Sequence, residues 1–168
     1  MHFLGIDPGL DGALALYDPS RGTLDVRDMP TATLPKAGGS GKRREIDVFA
    51  LAVLLDGWSH LRLRAFIEQV GPTPQMGVTS AFSFGGSFWA ARMACAAHFI
   101  PTELVGPQRW KRALVVKGGA DKTDAVRGRA SELLPHHCHF WTRAKDDGRA
   151  EAALIALFGS QQSHARAA

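Results

Sequence analysis

The stretch Phe3-Leu4-Gly5-Ile6-Asp7-Pro8-Gly9 decides the fold. An apolar run ends on a carboxylate and is cut at once by a Pro-Gly turn, the pattern of a strand delivering an acid to one edge of a sheet. Downstream, Ala13 to Tyr17 resumes an apolar run, residues 18–22 turn again, and Thr23 to Met29 alternates apolar with polar. Three short strands joined by tight turns predict an antiparallel meander. Residues 30–44 then hold Pro30, Pro35, Gly38, Gly39 and Gly41 before Lys42-Arg43-Arg44. That composition predicts a mobile loop ending in a basic knot.

Beyond the loop the period changes. Ile46, Phe49, Ala50, Val53 and Leu54 fall on one helical stripe within 46–60. Leu63 to Val70 reads as a strand carrying Glu68 near its end, followed by a loop from Gly71 to Gly86. A helix rich in small residues is expected from Ser87 or Phe88 to Phe99, and a strand over Thr102 to Val105. Pro107 suits the first turn of a helix through Leu114. Gly118-Gly119 breaks the chain, and Asp121 is placed to cap a helix to Leu134. A polar loop follows Pro135, then a helix from about Asp147 to Phe158. The expected order is βββ-α-β-α-β-α-α-α, an α/β fold with a mixed sheet and helices on both faces. One domain over 1–159 and a frayed polar tail at 160–168 complete the expectation.

With 168 residues the chain is about one domain, too short for two full lobes around a cleft. Twenty Lys and Arg against 16 Asp and Glu give +4, a balance compatible with a nucleic-acid partner. Two cysteines, Cys95 and Cys138, imply no disulfide framework, so a reducing compartment is expected. The N-terminus places an acid where a signal peptide continues its apolar run, and no stretch approaches the ~18 consecutive apolar residues of a membrane span. A cytoplasmic protein is expected, of a bacterial or phage-infected cell, or one of an organelle stroma.

The chemistry rests on four carboxylates. Asp7 and Glu68 close apolar strands, and adjacency of those strands brings the acids together. Asp147 and Glu151 are four apart, on one face of a helix that is otherwise mostly Ala, Leu and Ile. Taken singly, each has an ordinary explanation: a turn opener, a solvated strand end, a helix N-terminal charge. Together they form a like-charged group that is stable only when cations neutralise it. Hard oxygen ligands suit Mg²⁺ or Mn²⁺. Two such ions ~3.5–4 Å apart activate water and stabilise the leaving oxygen in phosphodiester hydrolysis.

Phe3 to Gly9 together with Ala65-Phe66-Ile67-Glu68-Gln69 resembles the Holliday junction resolvases of the RuvC type, in the ribonuclease H-like superfamily. Glu103 to Arg112 and Lys145 to Ala156 are similar to the chloroplast branch of those resolvases and its bacterial and phage relatives. The similarity spans residues 3 to about 159. It implies an RNase H-like fold, a homodimer, and a Mg²⁺-dependent endonuclease that nicks a four-way DNA junction once per protomer. Two Mg²⁺ ions per site are implied, with Mn²⁺ able to substitute. Mapped onto this chain, the acids that are catalytic and hold metal are Asp7, Glu68, Asp147 and Glu151. One departure stands out: bacterial members space the last two acids by three residues, where this chain has Gly148. Asp146 is the alternative to Asp147, but i and i+4 share a helical face better than i and i+5. Other readings are a related nuclease acting on branched DNA or RNA–DNA hybrids, and a junction-binding dimer that does not cut.

Candidate DNA contacts follow from the basic segments. They are Lys42, Arg43 and Arg44; Arg109, Lys111 and Arg112; Lys117 and Lys122; and Lys145 and Arg149, which flank the acids. The alternative for these is a solvated helix face, and Trp110 reads as a core anchor. Gln75, Phe82 and Phe84 lie in the segment after Glu68, where resolvases of this type pry open the junction. The competing reading puts both Phe residues in the core or a dimer interface, to which the small-residue helix also lends itself. His136-His137-Cys138-His139 has one thiol and lacks a second ligand pair, so a zinc site is disfavoured.

Overall fold

The computed structural model describes residues 1–36, 38, 40–116 and 122–165. Strands β1 (His2–Asp7), β2 (Ala13–Asp18) and β3 (Thr23–Asp28) form the expected antiparallel meander. Strand β6 (Leu63–Glu68) lies parallel to β1 on its other side, and β7 (Thr102–Val105) lies parallel to β6. The resulting five-stranded mixed sheet has the order β3-β2-β1-β6-β7.

Period-2 alternation sends neighbours of each strand to opposite faces. Leu4, Ile6, Leu14, Ala65 and Ile67 meet helices α1 (Val48–Ser59) and α2 (Val78–Ala97). Phe3, Ala13, Ala15 and Phe66 meet α3 (Pro107–Ala113), α4 (Lys122–Leu133) and α5 (Asp147–Ala165). Both faces are covered, and both strands of the β1–β6 pair are buried along their central residues.

Helix α5 is the element that sets the site. Residues 152–160 are all buried, which is why this stretch is so rich in Ala, Leu and Ile. Gly5 on β1 permits the closest approach: a Cβ there would overlap the Ala152 carbonyl and the Ala156 amide. Running against β1, the helix puts its first turn beside the carboxyl end of that strand, where Gly148 meets Asp7.

Several elements differ from expectation. In place of the mobile loop expected over 30–44, β4 (Thr31–Pro35) pairs with β5 (Lys42–Ile46) as a hairpin. Between its strands, Gly38 (φ 74°) and Gly41 (φ 119°) take the positive φ that a tight connection uses. Its base is anchored by buried Met29 and Ile46 and by the Asp47 amide donating to the Pro30 carbonyl at 2.9 Å. Helix α1 starts at Val48 with Asp47 as its cap, the Ala50 amide donating to Asp47 Oδ1 at 2.9 Å. Its buried face is Leu51, Leu55 and Trp58, whereas Phe49 and Val53 of the expected stripe are 77% and 56% exposed. A helix apolar on nearly all sides does not declare its face by periodicity.

Helix α2 begins at Val78, well before Phe88, so Phe82 and Phe84 are helical rather than in a loop. Gly85 and Gly86, the end of the expected loop, lie mid-helix, where tertiary packing overrides propensity. Residues 135–141 form a 3₁₀ helix, not a loop, with Trp141 buried. Helix α5 continues past Phe158 into the segment expected to fray. The proposed cap Asp121 lies outside the described residues.

Candidate metal centre

The parallel pairing of β1 with β6, in register Ile6 to Ile67, carries Asp7 and Glu68 to adjacent ends of neighbouring strands. Strand parity turns both toward α5. Glu151 completes the group: one carboxylate oxygen from each of Asp7, Glu68 and Glu151 lies within 4.8 Å of the others. Asp147, one helical turn earlier, lines an open cavity of about 460 Å³ together with Asp7.

Burial and like charge govern the electrostatics. Desolvation, followed by repulsion from Glu151, raises the Asp7 carboxyl to a pKa of about 7, with Glu68 and Asp147 adding to the rise. The Gly9 amide, 3.2 Å from Asp7 Oδ1, opposes it. Burial and Glu151 also push Glu68 up, while Trp110 and Lys111 pull it down. Negative charge predominates in this group, with Lys111 the cation in contact with it among the described residues. Its all-oxygen, all-carboxylate composition is the chemistry of a hard divalent cation site. The residues present therefore fit a metal of the Mg²⁺ class.

Two supports come from consecutive residues of α3. The indole of fully buried Trp110 donates to Glu68 Oε1 at 2.9 Å, fixing one oxygen and leaving the other for a ligand. The core anchor expected of Trp110 is thus also a holder of a site acid. Lys111 Nζ lies 2.7 Å from Glu151 Oε1, inside the site rather than on a free basic face.

Asp146 and Asp147 separate cleanly. Asp146 is buried and held by Arg143, whose guanidinium reaches both its oxygens at 2.7–3.1 Å and whose amide donates to it at 3.0 Å. That partner holds Asp146 below the usual carboxylate range. Asp147 faces the cavity and contributes to the Asp7 shift. Gly148 explains the spacing: a Cβ there would overlap the Asp11 carbonyl, reach 2.9 Å from Gly12 Cα and 3.1 Å from Asp7 Oδ2. No side chain fits, so an acid three residues before Glu151 is sterically barred.

The basic candidates divide by partner. Arg149 clamps Asp28 of β3 with two contacts of 2.5 Å and turns away from the carboxylates. Arg44 binds Asp11 at 2.9 Å and the Leu10 carbonyl, tying the hairpin to the turn after β1. Arg43 pairs with Glu45 at 2.9 Å. Arg109 pairs with Glu103 at 3.0 Å and lies over the Phe158 ring. Lys42, Arg112 and Lys145 are exposed and make no ion pair among the described residues. Lys117 lies outside the described residues, and of Lys122 only the helical backbone is described. Gln75 is exposed, Phe84 lines the acidic cavity, and Phe82 stands 82% exposed on α2. In the histidine run, His137 Nε2 lies 2.9 Å from the Gly22 carbonyl and His139 packs on Phe140. The three acids are the sole candidate metal cluster among the described residues.

No protein-family model and no curated protein matches this sequence. Solved structures do match its fold. Thermus thermophilus RuvC in complex with a Holliday junction substrate aligns over 96% of both chains with a TM-score of 0.58 and 15% identity. A second Thermus thermophilus RuvC structure aligns over 97% of both chains with a TM-score of 0.55 and 19% identity. The fold is thus of the RuvC, RNase H-like type along nearly its whole length.

Proposed function

We propose that this protein is a structure-selective DNA endonuclease that resolves Holliday junctions by paired nicking through metal-assisted phosphodiester hydrolysis. The observation that carries the reading is the convergence of Asp7, Glu68 and Glu151 at the carboxyl end of the β1–β6 pair, on a RuvC-type fold. Asp7, Glu68, Asp147 and Glu151 would hold two Mg²⁺ ions, with Mn²⁺ an effective substitute. When bound, the metals supply charge neutralisation, an acidified water and stabilisation of the leaving 3′-oxygen.

The chain's own residues do the remaining work. Trp110 orients Glu68, so that side chain reaches the site with little rotamer freedom to lose. Lys111 neutralises Glu151 and would add positive charge beside the acids as charge develops in the reaction. Phe84 walls the acidic cavity, and Phe82 projects from the same helix to meet unstacked bases. Nicking of opposite strands needs two copies. The outer faces of α1 and α2 support a homodimer: Phe49, Val53, Trp89 and Met93 are each more than half exposed there.

The test is cleavage of a synthetic four-way junction in Mg²⁺, beside flap and RNA–DNA hybrid substrates. Cutting of the junction alone, abolished by Asp7→Asn with binding retained, is the expected outcome. Equal turnover on all three substrates refutes junction selectivity, and full activity of Asp7→Asn refutes the metal assignment.

A further inference from the structure

Three cavities join into one groove across the acids. The central one, containing Asp7 and Asp147, is also lined by Thr79, Ser83 and Ser87 of α2. Those same three side chains line a second cavity of about 300 Å³ between α2 and the β4–β5 hairpin, whose far rim holds Arg43 and Arg44. Asp11 and Asp147 are shared with a third cavity of about 460 Å³, bordered by Arg143, Lys145 and the same Arg44. Shared lining residues thus make the three one groove around Asp7 and Asp147, with cationic side chains bordering its two outer cavities.

Thr79, Ser83 and Ser87 are spaced four apart and form one stripe along the wall. The Ser87 hydroxyl is buried and spent on the Ser83 carbonyl at 3.1 Å. The Thr79 and Ser83 hydroxyls have no partner among the described residues. Arg143 is engaged by Asp146, Arg44 by Asp11 and Arg43 by Glu45, which leaves Lys145 as the bordering cation with no ion pair among the described residues. Donors without a protein acceptor, lined up between an acidic centre and a basic rim, match a chain of phosphates one of which sits at the acids.

Building on the nuclease reading, we propose that the strand to be cut runs along this groove from Lys145, over the acids, to the hairpin. Thr79 and Ser83 donate to the phosphates next to the scissile one and set its register. They are positioning residues: neutral donors add no charge beside the metal ligands, yet they hold the backbone so that one phosphate faces Asp7 and Asp147.

Thr79→Val and Ser83→Ala, made singly and together, remove the hydroxyls from accessible positions on the helix. The readout is KM and kcat for nicking of a synthetic four-way junction across a salt series. Each loss is expected to raise KM about tenfold, the effect of one hydrogen bond to a charged oxygen. The salt slope should stay unchanged, whereas Lys145→Gln should flatten it by about 0.9, one phosphate charge. The nicking position should also spread to neighbouring phosphates in the double variant. An unchanged KM and a single nick position in the double variant, with wild type cutting normally, overturn the track and leave the nuclease reading standing. A wild-type protein that neither binds nor cuts the junction overturns both.

Discussion

Replacing Asp7 by Asn should stabilise the metal-free protein. Folding gathers Asp7 with Glu68, Glu151 and Asp147 and removes much of its water, raising its pKa from 3.8 to about 7. A folded-state pKa above the unfolded one means that the native state binds more protons between those two values. Stability contributed by this group is therefore full below pH ~4, lost as pH rises toward ~7, and flat above. At 1.36 kcal/mol per unit, the strain on the ionised form is at most ~4 kcal/mol. Residual hydration of the half-buried side chain cuts that to ~1–3 kcal/mol. Asn retains an oxygen for the Gly9 amide and removes the charge. For a chain of this size, ~1–3 kcal/mol is a rise in Tm of roughly 2–12 °C. The assay is thermal unfolding of wild type and D7N in EDTA at pH 5 and pH 8, then at pH 8 with excess Mg²⁺. D7N should melt higher than wild type at pH 8, by a smaller margin at pH 5, and Mg²⁺ should raise wild type more than D7N. A D7N variant that melts lower at pH 8 in EDTA, or equal stabilisation of both by Mg²⁺, would refute the account of an electrostatically strained cation site.

Other substitutions read the supports separately. Asp146→Asn should lose ~1–3 kcal/mol by breaking the charged contacts with Arg143, with cleavage retained below the lowered Tm, whereas Asp147→Asn should leave Tm near wild type and abolish nicking. The reverse pattern in melting and nicking assays would exchange their roles. Gly148→Ala should cost ~1–3 kcal/mol through overlap with the Asp11 carbonyl and Gly12, despite alanine's better helix propensity; denaturant unfolding measures it, and no loss disproves the close approach. Trp110→Phe keeps most of the buried volume and deletes the indole N–H to Glu68, so kcat should fall about tenfold with KM for the junction unchanged; single-turnover nicking checks the split. Arg149→Ala should leave junction affinity within a factor of two by filter binding, because a guanidinium committed to Asp28 is a brace between α5 and β3.

What the sequence disclosed and what it withheld follow from the range of each signal. Asp7 and Glu68 were legible because each ends a short apolar run, and strand pairing needs only neighbours in the sheet. The pairing of β4 with β5 was not, since Pro35 ends one strand and Gly38 and Gly41 lie between the two, while the residues that order it, Met29 and Ile46, look like flanking apolar punctuation. Helix α1 hid its face because Phe49 and Val53 are as apolar as Leu51 and Leu55; only the sheet beneath tells them apart. Gly148 looked like a missing acid, and only the turn at residues 11–12, far away in sequence, shows that it is a required absence of side chain.

The segment Arg109-Trp110-Lys111-Arg112 makes the sharpest case. As sequence it is three cations around an aromatic, a DNA-contacting surface by composition. In the fold those four side chains go to different partners. Arg109 turns to Glu103 and the Phe158 ring, Trp110 to Glu68, Lys111 to Glu151, and Arg112 to solvent. The two middle residues, about 100° apart around a helix, each hold a different acid of the same cluster, one from β6 and one from α5. Those partners lie 42 and 40 residues away in the chain, beyond any local pattern. An acidic cluster that repels itself needs counter-donors before any cation arrives, and a single turn of α3 supplies a neutral one and a charged one. The neutral donor can stay when metal binds, because an indole N–H competes with nothing. The charged one must share Glu151 with incoming positive charge, so Lys111 is the member of the pair whose position should depend on metal, and Trp110 the one whose position should not.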